Sequence, residues 1–176
     1  MRLLGTLVIA IGSLAQAATH EKLSIEDMTM KSTEIVCGKV TASSSIQRGP
    51  VIYTRYHIQV SDRWKGSPVR ELDVYVPGGR YANRSQQVSG APKPEEGQEY
   101  MFFLWTSKSG LTQIIGLSQG LFFLKRDSKG EPVLSRAASS ETMLDSSGKV
   151  VEDTPVKMRF SDLVDRIQRS LAGANR

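Results

Sequence analysis

The stretch Ile52-Tyr53-Thr54-Arg55-Tyr56-His57-Ile58-Gln59-Val60 decides the fold of this chain. Its even-numbered positions carry Ile, Thr, Tyr, Ile and Val, and the positions between them are more polar. This period of two is typical of a β-strand with one buried face. We therefore expect the even-numbered side chains to face a core and the odd-numbered ones to face solvent.

Further short strands are predicted on both sides of this stretch. The run 100–105 (YMFFLW) is apolar without alternation, as in a strand buried on both faces, so we expect it at the centre of the sheet. The run from Ile35 is expected to end near Ala42, and 43–50, with its serines, Gly49 and Pro50, to form a hairpin loop. Strands are also expected at 72–76, 111–115, 121–125 and, as an edge strand, 133–134. Six or seven strands separated by turns indicate a closed barrel or a sandwich.

Two helices are predicted at the ends of the sheet. Ser24 and Asp27 can form a capping box for a short helix at 25–32. Near the other end, Ser161 is a good N-cap, and the apolar residues after it form one stripe of an amphipathic helix at 159–172.

The first 17 residues have the pattern of a cleavable secretory signal. Arg2 precedes an apolar run at 3–12, and Ala15-Gln16-Ala17 is typical of a cleavage site. That run is shorter than the ~20 residues that span a bilayer. We therefore expect an exported protein, periplasmic or secreted, without stable membrane insertion.

Segment boundaries follow from these patterns. We expect a flexible N-terminus at 18–23, a β-domain at 24–136, a polar linker at 137–158 and the terminal helix.

The net charge of +5 comes from 23 basic and 18 acidic side chains that are interspersed along the chain. This distribution argues against a nucleic-acid-binding surface. The single cysteine, Cys37, allows no intramolecular disulfide and is expected to pack in the core.

The chemical inventory argues against familiar catalysis. Only two histidines are present, and His57 is expected to be a solvent-facing strand residue. No set of ligands has zinc spacing, and no phosphate-binding glycine loop is present, so no cofactor is expected. Two alternatives remain: a hydrolase that uses His57 with a nearby carboxylate, or a square-planar Cu(II) or Ni(II) site formed by Ala18, Thr19 and His20 after signal cleavage.

The region 78–97 has no periodicity and is long for a loop in a compact domain, so it is a candidate contact surface. Together with the 116–120 turn, it favours an exported, non-catalytic binding or assembly module for a protein or cell-envelope partner. A structural accessory that docks through the terminal helix, with Leu163 and Ile167 facing outward, is a further alternative. The candidate binding residues are Gly78, Gly79, Arg80, Tyr81, Asn83, Arg84 and Gln119.

The order of these segments resembles a known family. The runs IVCGKV at 35–40, YHIQV at 56–60 before WKG at 64–66, LDVYV at 72–76 and GQEYMFFL at 97–104 are similar to exported bacterial domains of the netrin-like type. This OB-fold module is shared with the tissue inhibitors of metalloproteinases. The resemblance implies an OB-like closed or partly open barrel of five to seven strands, flanked by the two helices. Those inhibitors chelate zinc with an N-terminal cysteine, whereas this mature chain would begin at Ala18, so inhibition is not implied.

Overall fold

The computed structural model describes residues 19–174, so the predicted signal and Ala18 lie outside the described residues. Over these described residues the fold is mainly β with two helices, as expected. Its elements, in order, are β1 (Thr19–Glu21), α1 (Ile25–Lys31), β2 (Glu34–Arg48), β3 (Val51–Lys65), β4 (Glu71–Pro77), β5 (Gly79–Tyr81), β6 (Arg84–Gln86), β7 (Glu99–Thr106), β8 (Thr112–Ile114), β9 (Leu121–Arg126), β10 (Pro132–Arg136), β11 (Thr142–Leu144), β12 (Val150–Val151), β13 (Val156–Arg159) and α2 (Phe160–Ala174).

The main sheet has the strand order β13-β10-β9-β7-β2-β3-β4, with β8 paired to the end of β7. Neighbouring strands in this sheet are antiparallel. β7 occupies the centre of the order, as its apolar sequence predicts. β3 and β7 both pair with β2, so the two most informative stretches of the sequence lie in one sheet.

Both faces of β7 are buried, and each faces a separate core. Tyr100, Phe102 and Leu104 join the inner core, which also contains Tyr56 and Ile58 of β3. Met101 and Phe103 point to the opposite side and form an outer core with residues of α1 and α2. Because successive side chains of β7 point to opposite faces of the sheet, this one strand contributes side chains to both cores.

The two helices cover the outer core. The predicted capping box of α1 is present, because Ser24 accepts from the N–H of Asp27 while the Asp27 carboxylate accepts from the N–H of Ser24. In α2, Leu163 and Ile167 are fully buried against the sheet. The accessory alternative, which required these two side chains to face outward, is therefore wrong.

The sheet curls around the inner core without closing through strand pairing. Val76 of β4 and Ile114 of β8 pack in the same core, so these two strands approach each other. Across residues 19–174, however, β4 pairs only with β3. The sheet therefore keeps an open seam between β4 and β8, and a hydrogen-bonded closed barrel is not formed.

Three segments differ from the sequence prediction. The serines of the expected 43–50 loop continue β2 as an exposed arm that pairs with β3, and only the Gly49–Pro50 turn remains. The expected linker at 137–158 contains β11, β12 and β13, and β13 pairs with β10, which is therefore not an edge strand. The expected flexible N-terminus forms β1, which pairs in parallel with β11. The unpredicted strands β1, β11, β12 and β13 are two to four residues long, which is too short to show an alternating sequence pattern.

Cys37 is buried in β2, as predicted. Burial raises the pKa of the Cys37 thiol to about 11, so the nucleophilic thiolate is disfavoured. Among residues 19–174, neither helix is long and apolar enough to cross a membrane.

Candidate functional site

A cleft of about 770 Å³ lies beneath the 78–93 loop, at the end of β4. One wall comes from the sheet, with Thr54 and Tyr56 of β3, and the other from the loop itself. Within the loop, residues 79–86 form the β5–β6 hairpin, which is a two-stranded sheet of its own. The predicted aperiodic loop thus combines an ordered hairpin with a cleft.

The hairpin is fixed to the main sheet by backbone and side-chain hydrogen bonds. The N–H of Gly78 donates to the carbonyl of Ile52 (2.8 Å), and the Thr54 hydroxyl donates to the carbonyl of Gly78 (2.9 Å). The N–H of Ile52 in turn donates to Oε1 of Gln86 (2.7 Å). Gly79 has a φ of 136°, and a Cβ there would lie 2.8 Å from the Thr54 hydroxyl. Gly78 and Gly79 therefore hold the hairpin close to the sheet, and both also line the cleft.

The loop is also held at its other end. The Ser89 hydroxyl donates to the buried carboxylate of Glu141 (2.6 Å), and the N–H of Glu95 donates to the hydroxyl of Tyr100 (2.9 Å). Because both ends are fixed, the side chains between them are presented on an ordered backbone.

The outward side chains of the loop have no partners within the part of the chain that the structure describes. The seven side chains named at the end of this paragraph are all exposed, and none of them forms a hydrogen bond or an ion pair with any group in residues 19–174. The Tyr81 side chain is the largest exposed apolar surface of the hairpin, since the residue is 44% exposed. We call this group the hairpin surface; it consists of Arg80, Tyr81, Asn83, Arg84, Ser85, Gln87 and Lys93.

The hairpin surface is positively charged. From Val74 to Pro94 the sequence carries Arg80, Arg84 and Lys93 and no carboxylate. The residues that line the cleft likewise include Lys93 but no Asp or Glu. The excess of basic side chains on the loop favours a negatively charged ligand, although the Glu141 carboxylate lies behind the cleft at Ser89 and acidic and basic residues are mixed over the rest of the chain.

Gln119, the remaining predicted binding residue, has a structural position instead. It is 1% exposed, its Nε2 donates to the carbonyl of Glu21 (2.8 Å), and its Oε1 accepts from the N–H of Leu23 (2.8 Å). A buried amide with both ends satisfied stabilises the attachment of the N-terminal segment and is not available to a ligand. The prediction that Gln119 contacts a partner is therefore wrong.

His57 lies on the outer face of the sheet beside two carboxylates. Its Nδ1 is 2.9 Å from Asp73 Oδ1, and its Nε2 is 3.4 Å from Glu71 Oε2. The hydrogen bond with Asp73 raises the pKa of His57 above its ordinary value. The ring is 41% exposed at the edge of a depression of about 440 Å³, so His57 faces solvent as predicted, in a charged setting that β3 alone does not reveal.

The hydrolase alternative requires a nucleophile hydrogen-bonded to His57, and neither serine that lines this depression makes that contact. Ser43 donates to Glu96 (2.6 Å), and Ser44 accepts from Arg55 (3.3 Å). Both ring nitrogens of His57 face carboxylates, so the imidazole does not accept a proton from a hydroxyl in this arrangement. When His57 is protonated, the cluster forms an ion-pair ladder across β3 and β4.

The predicted metal site has an ordered backbone in the residues that are described. Thr19 and His20 lie in β1, opposite Thr142 and Met143 of β11. Binding of Cu(II) or Ni(II) through their deprotonated amides would compete with this pairing. Within residues 19–174, no cluster of three His, Cys, Asp or Glu side chains could hold a metal ion.

Comparison with known proteins gives no match to a family model, a curated protein or a solved structure.

The geometry adds residues that the sequence prediction did not include. Ser85, Gln87 and Lys93 belong to the hairpin surface, and the absence of acidic residues from 74–94 was a readable signal for this region. Asp73 and Glu71, the partners of His57, depend on the register of β3 with β4 and left no local signal.

Proposed function

We propose that this chain is an exported, non-catalytic binding or assembly module that holds a protein or cell-envelope partner at the hairpin surface. The observation that carries this proposal is the combination of a fixed backbone with unpartnered side chains. Gly78 and Gln86 bond the hairpin to β3, while Arg80, Tyr81 and Arg84 have no partner within residues 19–174.

The residue types of the hairpin surface support this role. Tyrosine and arginine are enriched among the residues that dominate binding energy at protein interfaces. An anchored loop loses little conformational entropy when a partner binds, so more of the contact energy remains as affinity. These properties favour a surface that binds a partner over one whose side chains only contact water.

The fold supports an OB-like, netrin-like module. β4 approaches β8 around a shared core, as expected of a partly open barrel, and α1 and α2 cover its outer side. OB-type barrels bind ligands through loops that connect the strands. The hairpin lies in such a connection, between β4 and β7.

A pull-down with a matched control variant tests the proposal. Protein comprising residues 18–176 is immobilised and exposed to an envelope extract of the cells that produce it, beside R80A/Y81A/R84A. The control R159A/R169A removes two exposed arginines from β13 and α2. We expect the wild type and the control to retain the same component, and the hairpin variant to lose it. Equal retention by all three proteins would overturn the hairpin surface as the binding site.

The hydrolase is retained as a second candidate because His57 contacts Asp73. Its test is a panel of esters and amides assayed with the wild type and H57N. Hydrolysis by the wild type that H57N loses would favour the enzyme, and equal rates for the two proteins would exclude His57 as the base.

A further inference from the structure

We propose that the outer edge of the β2 arm, residues 41–48, pairs with the same edge of a second copy of this chain to form an antiparallel, two-fold symmetric dimer. We call this backbone edge the free edge. It is separate from the hairpin surface, and its pairing goes beyond the function proposed above.

The arm of β2 has a partner strand on one side only. β7 pairs with β2 at Glu34–Lys39, and two backbone hydrogen bonds from the loop before β7 extend this contact to Val40. Within residues 19–174, the continuation of β2 at 42–48 pairs only with β3. Residues 41–44 are exposed, as is Gln47. The position beside the arm, in line with β7, is therefore open to another strand.

Three residues of the arm direct their backbone groups to the free edge. The hydrogen bonds of Ile52 and Val60 with residues at the two ends of β4 show that even-numbered residues of β3 bond to β4, so odd-numbered residues of β3 bond to β2. These odd-numbered residues lie opposite even-numbered residues of the arm. Antiparallel alternation therefore points the N–H and C=O groups of Ser43, Ser45 and Gln47 away from β3.

The free edge lacks the features that protect the outer strands of the main sheet. The outer strand β4 carries Glu71 and Asp73, and the outer strand β13 carries Lys157 and Arg159. Residues 41–47 (TASSSIQ) contain no charged residue and no proline. Charges and prolines on an edge strand hinder pairing with another chain, so their absence favours pairing at this edge.

The register favours a second copy as the occupant. When Ser45 of each copy lies opposite Ser45 of the other, Ser43 lies opposite Gln47, so outward backbone groups meet outward backbone groups. The three pairs can exchange about six hydrogen bonds between the copies. On the other face Ser44 lies opposite Ile46, and no like charges are brought together.

The dimer has a consequence for the hairpin surface. The β5–β6 hairpin packs against the arm, since a Cβ on Gly79 would lie 3.2 Å from Oγ of Ser45. Ser45 is next to the two-fold axis of the dimer, so both hairpins lie on one face of the joined sheet, on either side of that axis. A partner with repeated sites would bind the two hairpins with higher avidity than one.

Sedimentation of residues 18–176 over a range of concentrations tests the dimer in the wild type, S45P, S44K and S128P. S45P removes the outward N–H of the central pair in both copies, and S44K adds a charge to the edge. S128P is the control, because it places proline second in the exposed Asp127–Gly130 turn, where proline is favoured.

We expect the wild type and S128P to dimerise equally, with a Kd on the order of 10–100 µM, because a single strand pair is a small interface. S45P and S44K should dimerise at least about tenfold more weakly. Hydrogen exchange at the Ser43, Ser45 and Gln47 amides should slow several-fold as the protein concentration rises. The amides of Ser44 and Ile46, which already bond to β3, should show no such dependence.

Wild type that remains monomeric up to about 1 mM would overturn the dimer. A dimer that S45P and S44K both retain, or one that leaves the three outward amides unprotected, would overturn the free edge as its interface. Thermal unfolding checks that each variant is folded, and S44K decides the result if S45P alone is unfolded. Monomeric S44K keeps the hairpin surface, so the proposed function is tested separately by its capture of the partner.

Discussion

Nδ1 of His57 lies 2.9 Å from Oδ1 of Asp73, directly across the β3–β4 register. This hydrogen bond raises the pKa of His57 above its ordinary value near 6.5. Folding therefore favours the protonated ring, so the stabilisation is fully present below the unfolded-state pKa and is lost as the pH rises through the folded-state pKa. We expect D73N to lower the pKa of His57 in an NMR titration and to reduce stability at acidic pH by about 0.2–1 kcal/mol, as for an exposed pair. H57N assigns the signal, and a His57 pKa that D73N leaves unchanged would contradict this account.

The pair of Arg136 and Asp153 is buried, and its loss should be more costly. The guanidinium donates to both carboxylate oxygens of Asp153, at 2.6 and 3.0 Å, and the carboxylate is 1% exposed. We expect D153N to lower the free energy of unfolding by about 3 kcal/mol, because it leaves the Arg136 charge buried without a counter-ion. The comparison is E26Q, which breaks the exposed pair of Glu26 with Arg166 and should cost less than about 1 kcal/mol. Urea unfolding at neutral pH measures both, and equal losses would refute the distinction.

The same carboxylate should make the fold sensitive to acid. Burial by itself raises the pKa of Asp153, but hydrogen bonds from Arg136 and from the N–H of Ser139 outweigh it, so the pKa lies below its ordinary 3.8. The stabilisation is therefore present above the unfolded-state value and is lost as the pH falls through the folded-state value. We expect the difference in unfolding free energy between wild type and D153N to shrink in that acidic range. A difference that stays constant down to complete protonation would show that the ion pair is not its source.

Gln119 should stabilise the N-terminal segment. Replacement by Leu leaves the N–H of Leu23 and the carbonyl of Glu21 without their partners, and we expect a loss of about 2 kcal/mol. Hydrogen exchange should also become faster in 19–23, since this segment is attached through the amide. Q168A, at an exposed position of α2, is the control and should have almost no effect. Unchanged exchange in Q119L would mean that β1 is held by β11 alone.

Gly79 should be required for the position of the hairpin. An alanine there must adopt a φ of 136° and place its Cβ 2.8 Å from the Thr54 hydroxyl, so we expect G79A to lose about 2 kcal/mol. G130A introduces a similar backbone demand, with a φ of 82°, but meets no atom within 4 Å and should lose about 1 kcal/mol. Only G79A should also weaken capture of the partner in the pull-down. Equal stability of the two variants would show that the close approach to Thr54 is not constrained.

Sequence patterns predicted the elements that are defined locally. The alternation at 52–60 and the apolar run at 100–105 each describe one strand and its buried faces, and the Ser24–Asp27 box needs only four consecutive residues. Such signals do not depend on what lies elsewhere in the chain. They were sufficient to predict a mainly β fold with two helices and the central position of β7 in the sheet.

Long-range pairing was not predictable in this way. Gln119 lies between Gly116 and Gly120 and looks like an exposed turn residue, yet its partners Leu23 and Glu21 lie 96 and 98 positions away. Likewise, β13 is four residues long, and its pairing with β10 depends on register rather than composition. The hairpin surface is intermediate, because its charge and lack of period are local features, whereas its anchoring to Ile52 and Thr54 is visible only in the fold.

The outer core is completed by α2. Phe103 and Met101 are covered partly by α1, whereas Leu163 and Ile167 arrive from α2, and β13 runs directly into that helix. During synthesis, a nascent chain that stops before residue 160 must leave this apolar side of the sheet exposed to water. Premature termination or proteolytic loss of the last helix should therefore yield aggregating fragments rather than a smaller working domain.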